Sequence, residues 1–383
     1  MIGRCAAVAI VAAALVWGWL AFVVHYADNS NWTAPFCIGD RTKQPPELEN
    51  QRLYRWPHTD GYDGASYLLL AHDPWLTRGF QRYIDSPRMR ARRILLPAVS
   101  WLLAGGNDGR IDLAYVAAVI AFAAAGVFWV AAYAASLGRT ALWGLAYLLL
   151  PSTVISVDRM LTDMPMVTLL AGFLWYVRQR RFAAFWICAA LACLARETGV
   201  CIVIGYAAWL LFQRRYRSAA IMAAAVAPLL AWIGYVDAHT VAGRSFWNTY
   251  IGPARDLLAA FVRIRTYPEP AWIQAGVRMA DEIALAGFVV GFIFAIALSR
   301  RGAPLAFMIV PFLGVAAILT CMSDQFTDVY GYGRLFSPVL LLLGWDALES
   351  GKWLQFVPAL MILSRTVAIP VHETVLALQR FRS

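Results

Sequence analysis

A short glycine-rich stretch, Asp60–Tyr67, holds the residues best suited to chemistry in this sequence. Gly61 and Gly64 lie on either side of Asp63, and glycine leaves the backbone free to aim a side chain at a turn. A carboxylate aimed in this way can take a proton from a reacting hydroxyl as a general base. Asp63 would also suit the N-cap of a following helix, because cap geometry and the helix dipole favour a carboxylate there. Both interpretations stay open, and Asp60 is the next candidate carboxylate.

An arginine-rich run lies further along, directly before the apolar segment Ile94–Ala104. Arginine makes bidentate, charge-assisted contacts with phosphate oxygens, so the run predicts an anionic partner. The alternative is that these side chains only reach lipid headgroups beside a short interfacial helix. A later segment, Tyr330–Arg334, is predicted as a flexible aromatic turn that ends in one more arginine. The candidates for binding a donor phosphate are Arg88, Arg90, Arg92, Arg93 and Arg334.

Other acidic and aromatic side chains fall at predicted helix ends. Asp158 and Asp163 are possible ligands of a divalent cation, but their spacing does not demand a metal, and no metal site is assigned with confidence. Glu197 follows Arg196 directly, and the two could form a simple ion pair at a helix end. Aromatic rings pack on the apolar faces of sugars while carboxylates bind the hydroxyls. The supporting acidic candidates are Asp60, Asp158, Asp163 and Glu197, and the sugar or acceptor candidates are Tyr62, Tyr67, Trp75 and Tyr332.

The composition decides which class of protein must position these residues. The chain has 383 residues, of which 61% are hydrophobic and 15% charged. Soluble domains have about 45–50% apolar and about 25% charged residues, so a soluble enzyme and a disordered chain are both excluded. The net charge of +10 predicts no nucleic-acid partner here, because Lys and Arg of membrane proteins collect in cytoplasmic loops. The six cysteines show no metal-ligand spacing.

Apolar runs predict an all-α polytopic bundle of about eleven transmembrane helices, a single integral-membrane domain over 1–383 without a separate soluble domain. A long first outer loop, 25–110, should contain short juxtamembrane helices, and a second outer loop should cover 237–282. Ile94–Ala104 is too short to cross alone. The predicted spans are Ala6–Val24, Ile111–Ser136, Ala141–Val157, Met164–Val177, Phe182–Leu194, Gly199–Phe212, Ala219–Val236, Ile283–Leu298, Pro304–Met322, Leu335–Leu348 and Trp353–Pro370.

The positive-inside rule then sets the predicted orientation. With a cytoplasmic N-terminus, every short basic loop faces the cytoplasm, including Arg178–Arg181 and Arg214–Arg217. The opposite orientation would place all of these loops outside. Asp63 and the arginine run therefore belong to the outer face in this prediction, which also places Cys37 outside.

These features together resemble the bacterial GT-C glycosyltransferases, polytopic relatives of protein O-mannosyltransferases and aminoarabinose transferases. The matching elements are the first-loop Asp63, the arginine run into Ile94, the acids after the third span and the Arg196-Glu197 corner. The resemblance implies a polyprenyl-phosphate sugar donor, a glycan, lipid or protein acceptor, and an active site facing outward from the bacterial inner membrane. It also implies that Asp63 is the general base. The first outer loop contains no adjacent Asp-Glu or Asp-x-Asp pair that would specify a metal.

Other functions remain open at this point. A polysaccharide polymerase or ligase of the cell envelope would also use outer arginines and long outer loops, but it would not need Asp63. A transporter would need ionisable groups or broken helices near the middle of the bilayer. A soluble nucleotide-sugar donor is disfavoured because the sequence has no G-x-G-x-x-G or Walker motif.

Overall fold

The computed structural model describes residues 2–48, 51–241, 249–263 and 271–382, and this part of the chain is helical without a β-strand. Short 3₁₀ segments join the α-helices. In chain order the helices are α1 (Ile2–Tyr26), α2 (Asp63–His72), α3 (Pro87–Ala91), α4 (Leu95–Leu103), α5 (Ile111–Ser136), α6 (Pro151–Arg159), α7 (Asp163–Arg178), α8 (Phe182–Ala195), α9 (Val200–Phe212), α10 (Tyr216–Ala223), α11 (Ala227–His239), α12 (Arg255–Val262), α13 (Ala271–Ser299), α14 (Pro304–Leu319), α15 (Val329–Ser350), α16 (Val357–Thr366) and α17 (Ala368–Arg382).

Several of these helices are long and apolar, as expected of a membrane protein. Four stretches could cross a bilayer by length and composition: Ile2–Tyr26, Asp108–Ser136, Tyr216–His239 and Ile273–Ser299. The number rises to six if each of two bent helix pairs counts as one span. The other apolar helices, such as α8 with 14 residues and α14 with 16, fall short of the roughly 20 residues that a crossing needs. The predicted count of about eleven spans is therefore not confirmed.

One predicted span, Ala141–Val157, is broken in the structure. A 3₁₀ segment covers Ala141–Leu149, and α6 begins at Pro151 with a bend of 62° between the two. Proline pushes the residue before it out of the helical region, and Leu150 has extended backbone angles. The bend aims the far end of α6 at the first long loop.

Polar contacts gather at the two ends of the bundle. At one end Arg139 donates to the Leu348 carbonyl, and Arg301 pairs with Asp346 at 2.6 Å. The other end, which we call the site end, holds Asp63, Asp163 and Glu197. Between these ends the helices pack through apolar side chains.

The first long loop folds onto the site end through two close glycine contacts. Gly61 has φ +86°, a left-handed conformation that glycine adopts at little cost. A Cβ atom at Gly64 would lie 2.4 Å from the Arg159 carbonyl oxygen, so only glycine lets α2 approach the end of α6. These two positions fix the start of α2 and therefore the position of Asp63. The nine-residue α4 agrees with the predicted short segment Ile94–Ala104.

Candidate active site

Asp63 is the first residue of α2, and both of its carboxylate oxygens face arginines. Arg90 Nη2 lies 2.7 Å from Oδ1, and Arg334 Nη1 lies 3.0 Å from Oδ2. Tyr62 occupies the N-cap position instead, and its side chain makes no capping hydrogen bond. The N-cap interpretation of Asp63 is therefore wrong, although its carboxylate still lies in the first helical turn, where the dipole favours it.

A second layer of ion pairs lies behind Asp63. Asp163 is paired with Arg196, and Arg334 lies 3.7 Å from its second oxygen. Arg93 Nε contacts Glu197 at 3.0 Å. The predicted Arg196–Glu197 pair is wrong, because each of these neighbours has its partner on another segment. Asp163 and Glu197 both belong to the network that surrounds Asp63.

Tyr67 completes the inner wall of this network. Its hydroxyl accepts a hydrogen bond from Arg93 at 2.9 Å, and its ring is buried. The predicted sugar-binding role would need the ring to be open to a ligand. The structure places Tyr67 so that it holds an arginine.

The network contains more cations than buried acids. We call it the arginine cluster; its members are Arg90, Arg93, Arg196 and Arg334 with Asp63, Asp163 and Glu197. The fourth acid in contact is Asp85, whose side chain is 59% exposed and pairs with Arg90. Among the described residues, Arg334 Nε and Arg196 Nε have no hydrogen-bond partner, and neither have the acceptor oxygens Asp63 Oδ2 and Asp163 Oδ2. Buried N–H groups of this kind are available to the oxygens of an anion.

The arginines also set the protonation state of Asp63. Burial alone would raise the pKa of its carboxyl, but Arg334 and Arg90 outweigh burial and hold the pKa below its usual value. Burial raises the pKa of the neighbouring Tyr62 hydroxyl. At neutral pH Asp63 is therefore a carboxylate and Tyr62 a neutral phenol.

A cavity of about 470 Å³ opens beside Asp63 in the first long loop. Asp63 and Arg90 line its inner part, whereas Lys43 and Arg82 are exposed residues of its wall. The lining of this one cavity thus presents carboxylates, cations and aromatic rings to a bound molecule. The other polar and aromatic lining residues are Thr42, Gln44, Asp60, Tyr62, Ser66, Tyr83 and Asp85.

The arginine run divides between two places. Arg90 and Arg93 join the arginine cluster, whereas Arg88 and Arg92 pair with Asp237 at the end of α11, at 3.3 and 3.1 Å. Arg88 also donates to the Thr240 carbonyl. Two of the candidates for binding the donor phosphate, Arg88 and Arg92, therefore tie α3 to α11 instead.

Two predicted aromatic residues lie away from the cavity. Trp75 packs edge-on against Trp232, with 6.3 Å between ring centroids. Tyr332 is buried in the core and stacks on Phe326. The segment Tyr330–Arg334 is part of the start of α15, with Asp328 as its N-cap, and is not the predicted flexible turn.

Asp158 belongs to a separate cluster, together with Arg159. Its carboxylate contacts Arg159 at 3.0 Å and accepts a hydrogen bond from Tyr330, while Arg159 also pairs with Glu373 at 3.1 Å. Asp158 and Asp163 therefore do not face one another as metal ligands. In the described ranges no group of three or more His, Cys, Asp or Glu side chains could hold a metal ion.

The sequence does not indicate the partners of two residues of the site. Asp85 lies in a loop, and only the fold brings it to Arg90. Arg196 stands out in the sequence beside Glu197, but nothing in the spacing indicates its pairing with Asp163 across 33 positions.

Fold and site together define a helical protein with apolar, bilayer-length helices and a buried arginine cluster beside a polar cavity. No protein-family profile, curated protein sequence or solved structure matches the chain.

Proposed function

We propose that this chain is a membrane glycosyltransferase that moves a sugar from a polyprenyl-phosphate donor to an acceptor hydroxyl. The single observation that carries the proposal is Asp63, a carboxylate on the wall of a cavity with an arginine at each of its oxygens. A base and a cationic phosphate site must lie within one sugar of each other for this reaction. The resemblance to the GT-C glycosyltransferases supports the same assignment.

In the proposed reaction, Asp63 accepts the proton of the acceptor hydroxyl as the hydroxyl oxygen bonds to the anomeric carbon. The bond between that carbon and the phosphate oxygen breaks, and its electron pair leaves with the lipid phosphate. Arg90, which lines the cavity, stabilises the negative charge that develops on the phosphate, an electrostatic effect that is often the largest contribution to catalysis, while Arg334 holds Asp63 in place. Arg93 and Glu197 hold the cluster together behind them.

The neighbouring helix α4 gives a lipid-linked donor access to the site. It begins two residues after Arg93, and Leu102 and Leu103 at its other end are exposed. Exposed leucines pack favourably against lipid, so the polyprenyl chain can remain in the bilayer while its phosphate reaches the arginines. We propose the outer face of a bacterial inner membrane as the location and a glycan, lipid or protein as the acceptor.

The test is sugar transfer by the purified protein in lipid nanodiscs. Farnesyl-phosphate-linked hexoses and pentoses are supplied with bacterial envelope extract as the acceptor, and release of farnesyl phosphate is measured. We expect release from at least one donor, its loss in Asp63→Asn and its retention in the matched control Asp237→Asn. No release from any donor, or equal release by both variants, would count against the proposal.

A further inference from the structure

Arg90 is shared between two carboxylates that differ in exposure. Its Nη2 lies 2.7 Å from Asp63 Oδ1, and its Nε and Nη2 donate to the two oxygens of Asp85 at 3.2 and 3.1 Å. The Asp63 side chain is 14% exposed and the Asp85 side chain 59%. Arg90 is thus anchored to Asp85 through two hydrogen bonds, independently of its contact with Asp63.

This arrangement is unsuited to proton transfer as it stands. A general base needs a proton affinity matched to its task, yet a cation lies at each oxygen of Asp63 and lowers its affinity for a proton. Arginine keeps its proton at all working pH values, so it cannot relieve the carboxylate by deprotonation. Moving one arginine away would make Asp63 a stronger base.

Arg90 is the arginine that a ligand reaches. It lines the 470 Å³ cavity together with Asp63 and Asp85, whereas Arg334 is not among the residues that line it. A phosphate group in the cavity would offer Arg90 two oxygens in the planar geometry that a guanidinium prefers. Arg334 would stay between Asp63 and Asp163.

We propose that the donor phosphate displaces Asp63 from Arg90, so that the base is released only when the donor is bound. Asp85 is the positioning residue that keeps Arg90 at the cavity wall during this exchange. The inference rests on the proposed function, since it takes the displacing anion to be the phosphate of the sugar donor. Its consequence is that an empty site is unreactive towards acceptor hydroxyls.

If phosphate replaces Asp63 at Arg90, substitution of Asp63 should change the affinity for phosphate in a direction that a purely structural ion pair does not predict. If Asp63 and phosphate compete for Arg90, Asp63→Asn removes the competitor and phosphate binds more tightly. If the Asp63–Arg90 pair only holds α2 against α3, the same substitution loosens the site, and phosphate binds equally or more weakly. The two roles therefore differ in the sign of the change.

The experiment measures binding of farnesyl phosphate, which carries no sugar and cannot react, by titration calorimetry in nanodiscs. We expect Asp63→Asn to bind at least about tenfold more tightly than the native protein, equal to about 1.4 kcal/mol. Arg90→Gln should bind more weakly, and Asp237→Asn should be unchanged. Unchanged or weaker binding by a folded Asp63→Asn variant overturns the exchange. Inorganic phosphate is titrated in parallel: equal gains show that the phosphate group alone drives the exchange, and a gain for farnesyl phosphate alone assigns it to a lipid phosphate.

A second measurement on the native protein covers the case in which Asp63→Asn does not fold. Carbodiimide and an amine nucleophile label accessible carboxyl groups, and peptide mass spectrometry reads the label at Asp63. Farnesyl phosphate should increase this labelling because Asp63 loses one cation; unchanged or reduced labelling overturns the exchange.

Sugar transfer distinguishes the proposed exchange at Arg90 from the proposed function. An active protein without the affinity gain refutes the exchange alone, and an affinity gain without transfer to any acceptor refutes the function alone.

Discussion

Replacing Asp63 with Asn separates a catalytic role from a structural one, because the two roles predict losses of different size. Asn keeps the shape of the side chain but cannot accept a proton as the carboxylate does. Loss of a general base costs about 10²–10⁴-fold in rate. Losing one member of a buried ion pair costs about 3–5 kcal/mol of stability. Asp63 is 14% exposed and Arg90 retains Asp85, so we expect the lower end of that range.

The assay combines sugar transfer with the thermal midpoint of each variant. Turnover is measured at a temperature well below the thermal midpoint, on protein that elutes as a single species. A smaller folded fraction is then not mistaken for a slower reaction. The matched control is Asp163→Asn, whose side chain is 2% exposed between Arg196 and Arg334 but does not line the cavity. We expect a comparable loss of stability from this control and a much smaller loss of turnover.

Two results would refute the reasoning on Asp63. A folded Asp63→Asn variant with nearly native turnover would remove this carboxylate from the mechanism, and Asp60 on the same cavity wall would be tested next. A turnover loss no larger than that of Asp163→Asn would show that Asp63 acts only by holding the arginines.

Three further predictions follow from the charged residues. Arg334→Gln removes one cation from Asp63 and raises the pKa of its carboxyl, so the acid limb of the pH–rate profile should move to higher pH than in the native protein. Burial raises the pKa of Asp28 to about 6, so its ionisation destabilises the fold as pH rises towards that value; Asp28→Asn should stabilise the protein more at pH 8 than at pH 5, by about 1 kcal/mol in chemical denaturation. The Cys37 thiol is buried and its pKa is raised to about 12, so with the partly exposed Cys321 replaced by Ser, an impermeant maleimide should label intact cells through an exposed Lys43→Cys and not through Arg180→Cys at the opposite end.

The helices could be predicted from the sequence because a long apolar run can form few structures other than an α-helix. The span predicted at Ile111–Ser136 has the same bounds as α5. Proline determines where such predictions fail: Pro151 divides one predicted span, since its ring restricts the residue before it. How many of the helices cross a bilayer depends on tilt and neighbours, which the length of an apolar run does not fix.

The composition of the site was predictable, but its pairing was not. Adjacent residues on extended backbone point in opposite directions, and Arg196 has φ −160° and ψ 143°. Arg196 and Glu197 therefore diverge to different partners. Within the arginine run, Arg88 and Arg92 are four apart, a helical spacing that brings both to Asp237. Arg93 lies beyond the end of α3 at Ala91, so helical spacing alone does not predict that it joins Arg90 in the cluster.

The arrangement of the buried arginines is the strongest reason to regard the cluster as functional. Buried ion networks add little stability, since apolar side chains of similar volume can replace them at no cost. A network kept only for stability would also pair every buried N–H group, yet Arg334 and Arg196 each keep a nitrogen without a hydrogen-bond partner among the described residues. An anion in the cavity would meet Arg90, which lines it, while Arg196 and Arg334 are not among the lining residues. Because the partly exposed Asp85 already holds Arg90 at the cavity wall, that anion can replace Asp63 at Arg90 while the other ion pairs of the cluster stay in place.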